Sequence, residues 1–89
     1  MSSDVAVQHD IEGRMFYIDE AAGRAYLAYM DLGKKTMDIY RTFVPDELRG
    51  RGLAALLAAE ALKFAEAQGY KVIPSCTYVA RYMEQHQNQ

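Results

Sequence analysis

Cysteine is nearly absent from this 89-residue chain, with Cys76 standing alone. A single thiol closes no internal disulfide and leaves no cysteine-rich zinc site, which favours a reducing compartment; the expected location is cytoplasmic. Long apolar runs are missing as well. The longest, Leu53 to Ala59, falls far short of the ~20 residues that a membrane-spanning helix needs. The opening Met1-Ser2-Ser3-Asp4 has neither the basic head nor the apolar core of a signal peptide, so neither export nor membrane insertion is expected. Charge of one sign is lacking too. A net charge of −2 gives no overall attraction to nucleic acid or anionic lipid, and any basic site must be local. No repeat, low-complexity tract or linker interrupts the chain. No Walker A loop, zinc-ligand cluster, basic-aromatic stripe or Ser-His-Asp set can be assembled from it, which sets those function classes aside and leaves no metal site.

What remains is an ordinary globular composition, 51% hydrophobic and 25% charged, in a chain long enough for one domain over residues 1–89 and one modest core. The pattern predicts a β-meander followed by helix, strand and helix. Arg14 to Ile18 reads as a strand, Asp19 to Gly23 as a turn, and Arg24 to Leu32 as an almost continuously apolar strand suited to a position covered on both faces. Gly33-Lys34-Lys35 turns the chain again. From Thr36 to Val44, Met37, Ile39 and Phe43 fall on one face and Asp38, Tyr40 and Thr42 on the other, with Pro45 ending the strand.

From Leu53 the period becomes helical. Leu53, Leu56, Leu57, Ala61, Phe64 and Ala65 line one face and Glu60, Lys63 and Glu66 the other, as in a helix packed on a sheet. Gly69 reads as its C-terminal cap, Tyr70 to Ile73 as a short strand stopped by Pro74, and Ser75 or Cys76 through Glu84 as a last helix. Gln85 to Gln89 is expected to fray. Phe16, Met37, Phe43, Phe64 and Met83 are expected in the core.

The stretch from Val44 to Ala54 carries the most chemistry. A β-like run ends there in a turn rich in glycine and arginine that opens a helix, and such a turn can cradle phosphate. Glycines admit an anion to backbone N–H groups, the first helical turn adds unpaired N–H groups and the positive end of the dipole, and Arg49 and Arg51 add charged donors. The same spacing also fits a plain strand-to-helix turn with solvated arginines. Asp46 and Glu47, just before it, are expected to face solvent.

Arg49-Gly50-Arg51-Gly52-Leu53-Ala54 fits the Q/R-x-x-G-x-G/A pattern of the GNAT N-acetyltransferases through Arg49, Gly52 and Ala54. With Met37-Asp38-Ile39 through Val44-Pro45, and Ile73 to Val79, it resembles a subgroup of very short GNAT-like proteins over nearly all of the chain after Arg14. The resemblance implies an α/β (α+β) fold with a mixed, mostly antiparallel sheet, a central CoA-binding helix and a short C-terminal helix. It further implies acetyl-CoA as cofactor and an acetyl group transferred to a primary amine. The thioester would lie near Thr42, Phe43 and Val44, and the amides of Leu48 to Leu53 would hold the pyrophosphate with Arg49 and Arg51 near its oxygens. Members of the short subgroup often carry histidine where this chain has Arg41, so a histidine base is missing there.

Cys76 stands where a helix should begin, and the dipole there favours a thiolate that could take the acetyl group; it reads equally as a small, partly buried residue. Tyr82 lies seven positions after Ser75, an interval similar to one in larger GNAT enzymes whose tyrosine protonates the departing CoA thiolate. Tyr78, one turn earlier, could do the same, and either ring could simply close the core. His86 reads as a solvated tail histidine, and His9 as part of an N-terminal strand or extension. The acceptor side should be shallow and open, which suits an exposed lysine or N-terminal amine of a protein or peptide, with the chain a monomer or weak homodimer. The alternative is a CoA-binding module with weak or lost catalysis. A third reading, a small interaction domain without ligand, makes the glycine turn structural.

Overall fold

The computed structural model describes residues 5–86. Five strands form one sheet in sequential order: β1 (Gln8–Asp10), β2 (Met15–Glu20), β3 (Gly23–Gly33), β4 (Thr36–Phe43) and β5 (Lys71–Pro74). The first four pair antiparallel, and β5 returns parallel to β4 after the long helix α1 (Leu53–Gln68). A short helix, α2 (Thr77–His86), ends the described chain. The fold is therefore the meander, helix, strand and helix that the pattern predicts, in the α+β arrangement with a mixed, mostly antiparallel sheet that the resemblance implies.

Element boundaries move by small amounts. β2 begins after Arg14, whose φ of 54° places it in the preceding turn, and runs on through Glu20 because Asp19 and Glu20 pair with Arg24 and Gly23. His9 belongs to a true edge strand. Its ring stacks on Phe16 at 3.9 Å, meets Phe64 edge-on, and shares a 2.7 Å hydrogen bond with the Tyr29 hydroxyl. Burial lowers the His9 pKa below its ordinary value, against a smaller opposing pull from Asp10. α2 continues through Gln85 and His86, so the fraying expected there is not seen; the rest of that tail, residues 87–89, and the opening residues 1–4 lie outside the described residues.

Both helices pack on one face of the sheet. Phe16, Ile18, Ala25, Leu27, Tyr29, Met37 and Ile39 meet Leu53, Leu57, Ala58, Ala61 and Ala65 of α1 and Val79 of α2 in one core. The expectation that β3 is covered on both faces is corrected here. Tyr26 and Ala28 are only half-buried and Met30 is exposed, because no helix lies over them. Leu56 is also exposed, since at helical spacing it falls to the edge of the stripe, and Ala58 takes the core position.

The predicted alternation of β4 breaks at a β-bulge. Ala28 pairs with Arg41 while Tyr29 pairs with Ile39, leaving Tyr40 as an extra residue on β4. An extra residue reverses which face the following side chains take. Residues directly opposite in register share a face, so Thr42, paired with Leu27, turns to the helical side, and Phe43, paired with Tyr26, turns to the open side. The assignment of Phe43 to the core is thus wrong, with 40% of it exposed and its ring 5.6 Å from that of Tyr26. Phe64 and Met83 are partly buried against the core, as Phe16 and Met37 are fully.

Candidate functional site

β4 outruns β5. Their register ends with Ile39 opposite Pro74, and the last backbone-to-backbone bond across the gap runs from the Cys76 N–H to the Ile39 carbonyl at 2.9 Å. Pro74 cannot donate to the ladder, so the two chains part there. Residues 40–43 then have no strand beside them on that edge, which leaves a notch open at the end of the sheet.

Beyond the notch a 3₁₀ turn (Asp46–Leu48) leads into α1. Gly50 and Gly52 have φ of 84° and 75°, a left-handed conformation in which other residues are strained, and a Cβ at either would meet open space. Gly52 caps α1 without any side-chain hydrogen bond. The Leu56 N–H reaches the Gly52 carbonyl at 3.1 Å, but the N–H groups of residues 50–55 have no partner among the described residues. Unpaired donors at a helix start, with the dipole's positive end behind them and space in front, fit a phosphate.

An open cleft of about 340 Å³ joins these features. Val44, Leu48, Arg49, Gly50, Gly52, Leu53 and Ala54 line it together with Ala55 and Tyr78, so most of the predicted cofactor-binding residues converge. Arg49 is anchored loosely, its Nε 3.3 Å from an Asp46 carboxylate oxygen and 3.5 Å from the Val44 carbonyl, and remains largely exposed. Arg51 behaves differently. It reaches Glu20 at 3.3 Å, across 31 residues of sequence, and does not line the cleft. Asp46 and Glu47 are exposed, as expected. Ala55 was not anticipated; the signal was the missing capping side chain at Gly52, which extends the run of free donors one residue past the motif.

Cys76 lies at the notch, immediately before α2, with Sγ 3.4 Å from the Thr42 hydroxyl. Burial disfavours its thiolate, but the Thr42 hydroxyl and the backbone N–H groups of Val79, Tyr78 and Thr42 outweigh that, and the pKa falls below the ordinary 9.0. The sulfur acts where a capping oxygen normally does. The contact exists because the bulge at Tyr40 turns Thr42 inward.

The two tyrosines separate. Tyr78 lines the cleft, and burial followed by neighbouring Tyr82 raises its pKa, so its phenol keeps its proton at neutral pH. Tyr82 packs against the core and stacks on His86 at 4.0 Å, outside the cleft lining. His86 is exposed, with Nδ1 2.8 Å from the Tyr82 carbonyl. Arg41 and Phe43 point to the open face of the sheet. Among the described residues no group of histidine, cysteine and carboxylate side chains could hold a metal ion, and no helix is long and apolar enough to cross a membrane.

The profile of the GCN5-related N-acetyl-transferase family matches residues 15–89. Protein NATD1 of Xenopus tropicalis is 38% identical over 87 residues, covering 96% of this chain and 80% of that protein. Protein NATD1 of Mus musculus is 36% identical over 84 residues, covering 92% and 76%. Among solved structures, a GCN5-like protein from Staphylococcus aureus, determined by NMR and described as a candidate N-acetyltransferase, superposes with a TM-score of 0.74 at 25% identity, covering 98% of this chain and 85% of its own.

Proposed function

We propose, because the chain belongs to the GCN5-related N-acetyl-transferase family, that it binds acetyl-CoA along this cleft and transfers the acetyl group to a primary amine. The observation that carries the reading is the run of unpaired N–H groups at residues 50–55 beside an open edge of β4. A pyrophosphate fits the first and an extended pantetheine arm the second. The N–H groups of Gly50 to Ala55 would hold the phosphates, the expected Leu48 and Arg49 amides being spent on the Pro45 and Asp46 carbonyls, with the Arg49 side chain adding a charged donor; Arg51 would join only by leaving Glu20.

When bound, acetyl-CoA supplies an acyl group activated as a thioester. The Val44 N–H on the free edge would polarise its carbonyl, the Thr42 N–H being held by the Cys76 sulfur, an effect worth roughly 2.7 to 4 kcal/mol per donor in acyl transfer. The amine, its extra proton lost to solvent, would attack; a carbon–nitrogen bond would form as the carbon–sulfur bond breaks, Tyr78 would give its phenolic proton to the departing thiolate, and the phenolate would be reprotonated by the surplus proton of the acylated nitrogen, directly or through water. Tyr82, one turn on, is the second candidate for the proton donor. The lowered pKa of Cys76 favours a second route. There Sγ accepts the acetyl group, releasing CoA, and passes it to the amine. An exposed lysine or N-terminal amine of a protein suits so open a site, in a reducing compartment such as the cytoplasm, with neither nucleic acid nor membrane as partner.

Calorimetric titration with acetyl-CoA and with CoA, followed by intact-mass spectrometry with and without an amine acceptor, tests the reading. Saturable binding and acetylated acceptor are expected, with a mass gain on Cys76 marking the covalent route. Absence of binding at millimolar ligand would overturn the proposal. Binding without transfer to any amine would leave a CoA-binding module.

A further inference from the structure

The notch is closed on its inner side by Cys76 and α2, whereas among the described residues no helix lies over the outer face of the sheet. That face is ordered in rows by register. Tyr17, Tyr26 and Phe43 form one row, Met15, Ala28 and Arg41 the next, and Met30, Asp38 and Ile73 a third. Met30, Phe43 and Ile73 are 47%, 40% and 38% exposed, so the face is apolar and aromatic over much of its area.

Asp10, opposite Met15, and Lys71, opposite Thr36, stand on this face too, and its other charges are of two kinds. Arg24 and Asp19 satisfy each other through two bonds of 2.7 and 3.0 Å. Arg41 and Asp38 have no ion-pair partner among the described residues. The Arg41 guanidinium lies 5.7 Å from the centroid of the Tyr26 ring, and one Asp38 carboxylate oxygen, Oδ1, is buried without a donor. Their β3 partners, Ala28 and Met30, are two residues apart, so the two charges stand in adjacent rows about 7 Å from each other along the strand. Asp38 sits one residue before the notch opens and Arg41 next to Thr42, beside it.

We propose that this outer face is the acceptor-docking surface and that it selects amines flanked by acidic groups, with Arg41, next to the notch, binding the acidic group. The inference rests on the acetyl-transfer reading above. An ammonium beside an unpaired guanidinium is repelled unless an anion accompanies it. The aromatic rows give a peptide that carries both a surface to lie on. A second copy of the chain packed face to face would also pair Arg41 with Asp38, but it would close the side of the notch through which the amine must come.

The test uses three peptides, with a lysine between two glutamates, two glutamines or two arginines, titrated into isotope-labelled protein followed by NMR, both free and saturated with CoA. The glutamate peptide is expected to bind about tenfold tighter than the glutamine peptide, shifting the amides of Tyr26, Asp38, Arg41 and Phe43, with the arginine peptide weakest. Arg41→Glu is expected to reverse that order, and Arg41→Gln to flatten it with the fold intact. Equal affinities, shifts confined to the helical face, or an order unmoved in Arg41→Glu would overturn the proposal. So would a dimer in sedimentation that Arg41→Glu dissociates, which would give the face to a second copy. Failure to saturate with CoA is a separate result that overturns the acetyl-transfer reading, because docking is read on the free protein as well.

Discussion

The starts of the two helices solve the same problem in opposite ways. Every helix begins with N–H groups that have no internal partner. At α1 the cap is Gly52, which offers no side chain, and the donors of residues 50–55 face an open cleft. At α2 the preceding residue is Cys76, whose sulfur receives the N–H groups of Tyr78 and Val79. One terminus is left free for an anion from outside, and the other holds an anion the chain can make itself. What differs is a single capping residue: one helix start leaves its donors open, and the other spends two of them on a thiol.

Filling the open terminus is the largest break of this contrast. Gly52→Val forces a branched residue to a φ of 75° and places its side chain over the donors. Acetyl-CoA affinity is expected to fall about a hundredfold or more, the loss of two charge-assisted hydrogen bonds. Calorimetry measures it, while alkylation of Cys76 should keep its pH profile. A finer cut distinguishes the arginines. Arg49→Gln should weaken acetyl-CoA binding about tenfold. Arg51→Gln should change it far less, because that side chain is already paired with Glu20 in an exposed bridge worth about 0–1 kcal/mol.

The closed terminus answers to smaller changes. Cys76→Ala removes the cap and is expected to cost about 1 kcal/mol, lowering the melting temperature by about 4–8 °C, whereas Cys76→Ser restores a capping atom and most of the loss. Thr42→Val removes one donor from the sulfur, so the pH at which Cys76 reacts with iodoacetamide should rise. The sign in stability follows from the same shift. A thiol whose pKa is lower folded than unfolded contributes stability that is complete above the ordinary 9.0 and is lost as pH falls through the folded value. Denaturation midpoints measured up to pH 9 should therefore rise less in Thr42→Val than in the parent.

The open terminus was legible in the residues themselves. Glycine at two positions, arginine beside them and a helical period starting at Leu53 identify it locally, and the convergence of Leu48, Arg49, Gly50, Gly52 and Ala54 follows. The strand ends were equally local, set by Pro45, Pro74 and glycine turns. The phase of β4 was not. Strict alternation puts Phe43 inside and Thr42 outside, and only pairing with β3 inserts the extra residue that reverses them. Arg51 failed to read for a similar reason, since its partner Glu20 comes from the end of β2, distant in sequence. The expected second cover on β3 failed because an apolar run does not say whether another layer exists to bury it.

The free edge of β4 has a colloidal consequence. Unpaired backbone beside a ligand cleft is also a template for another chain, and such edges promote aggregation unless they are short, bulged or charged. This one is all three, ending within four residues, bulged at Tyr40 and carrying Arg41. A ligand lying along it would act as a guard as well as a substrate, so the free protein should precipitate sooner on heating or concentration than the loaded one, and replacing Arg41 with a β-branched apolar residue should hasten that loss.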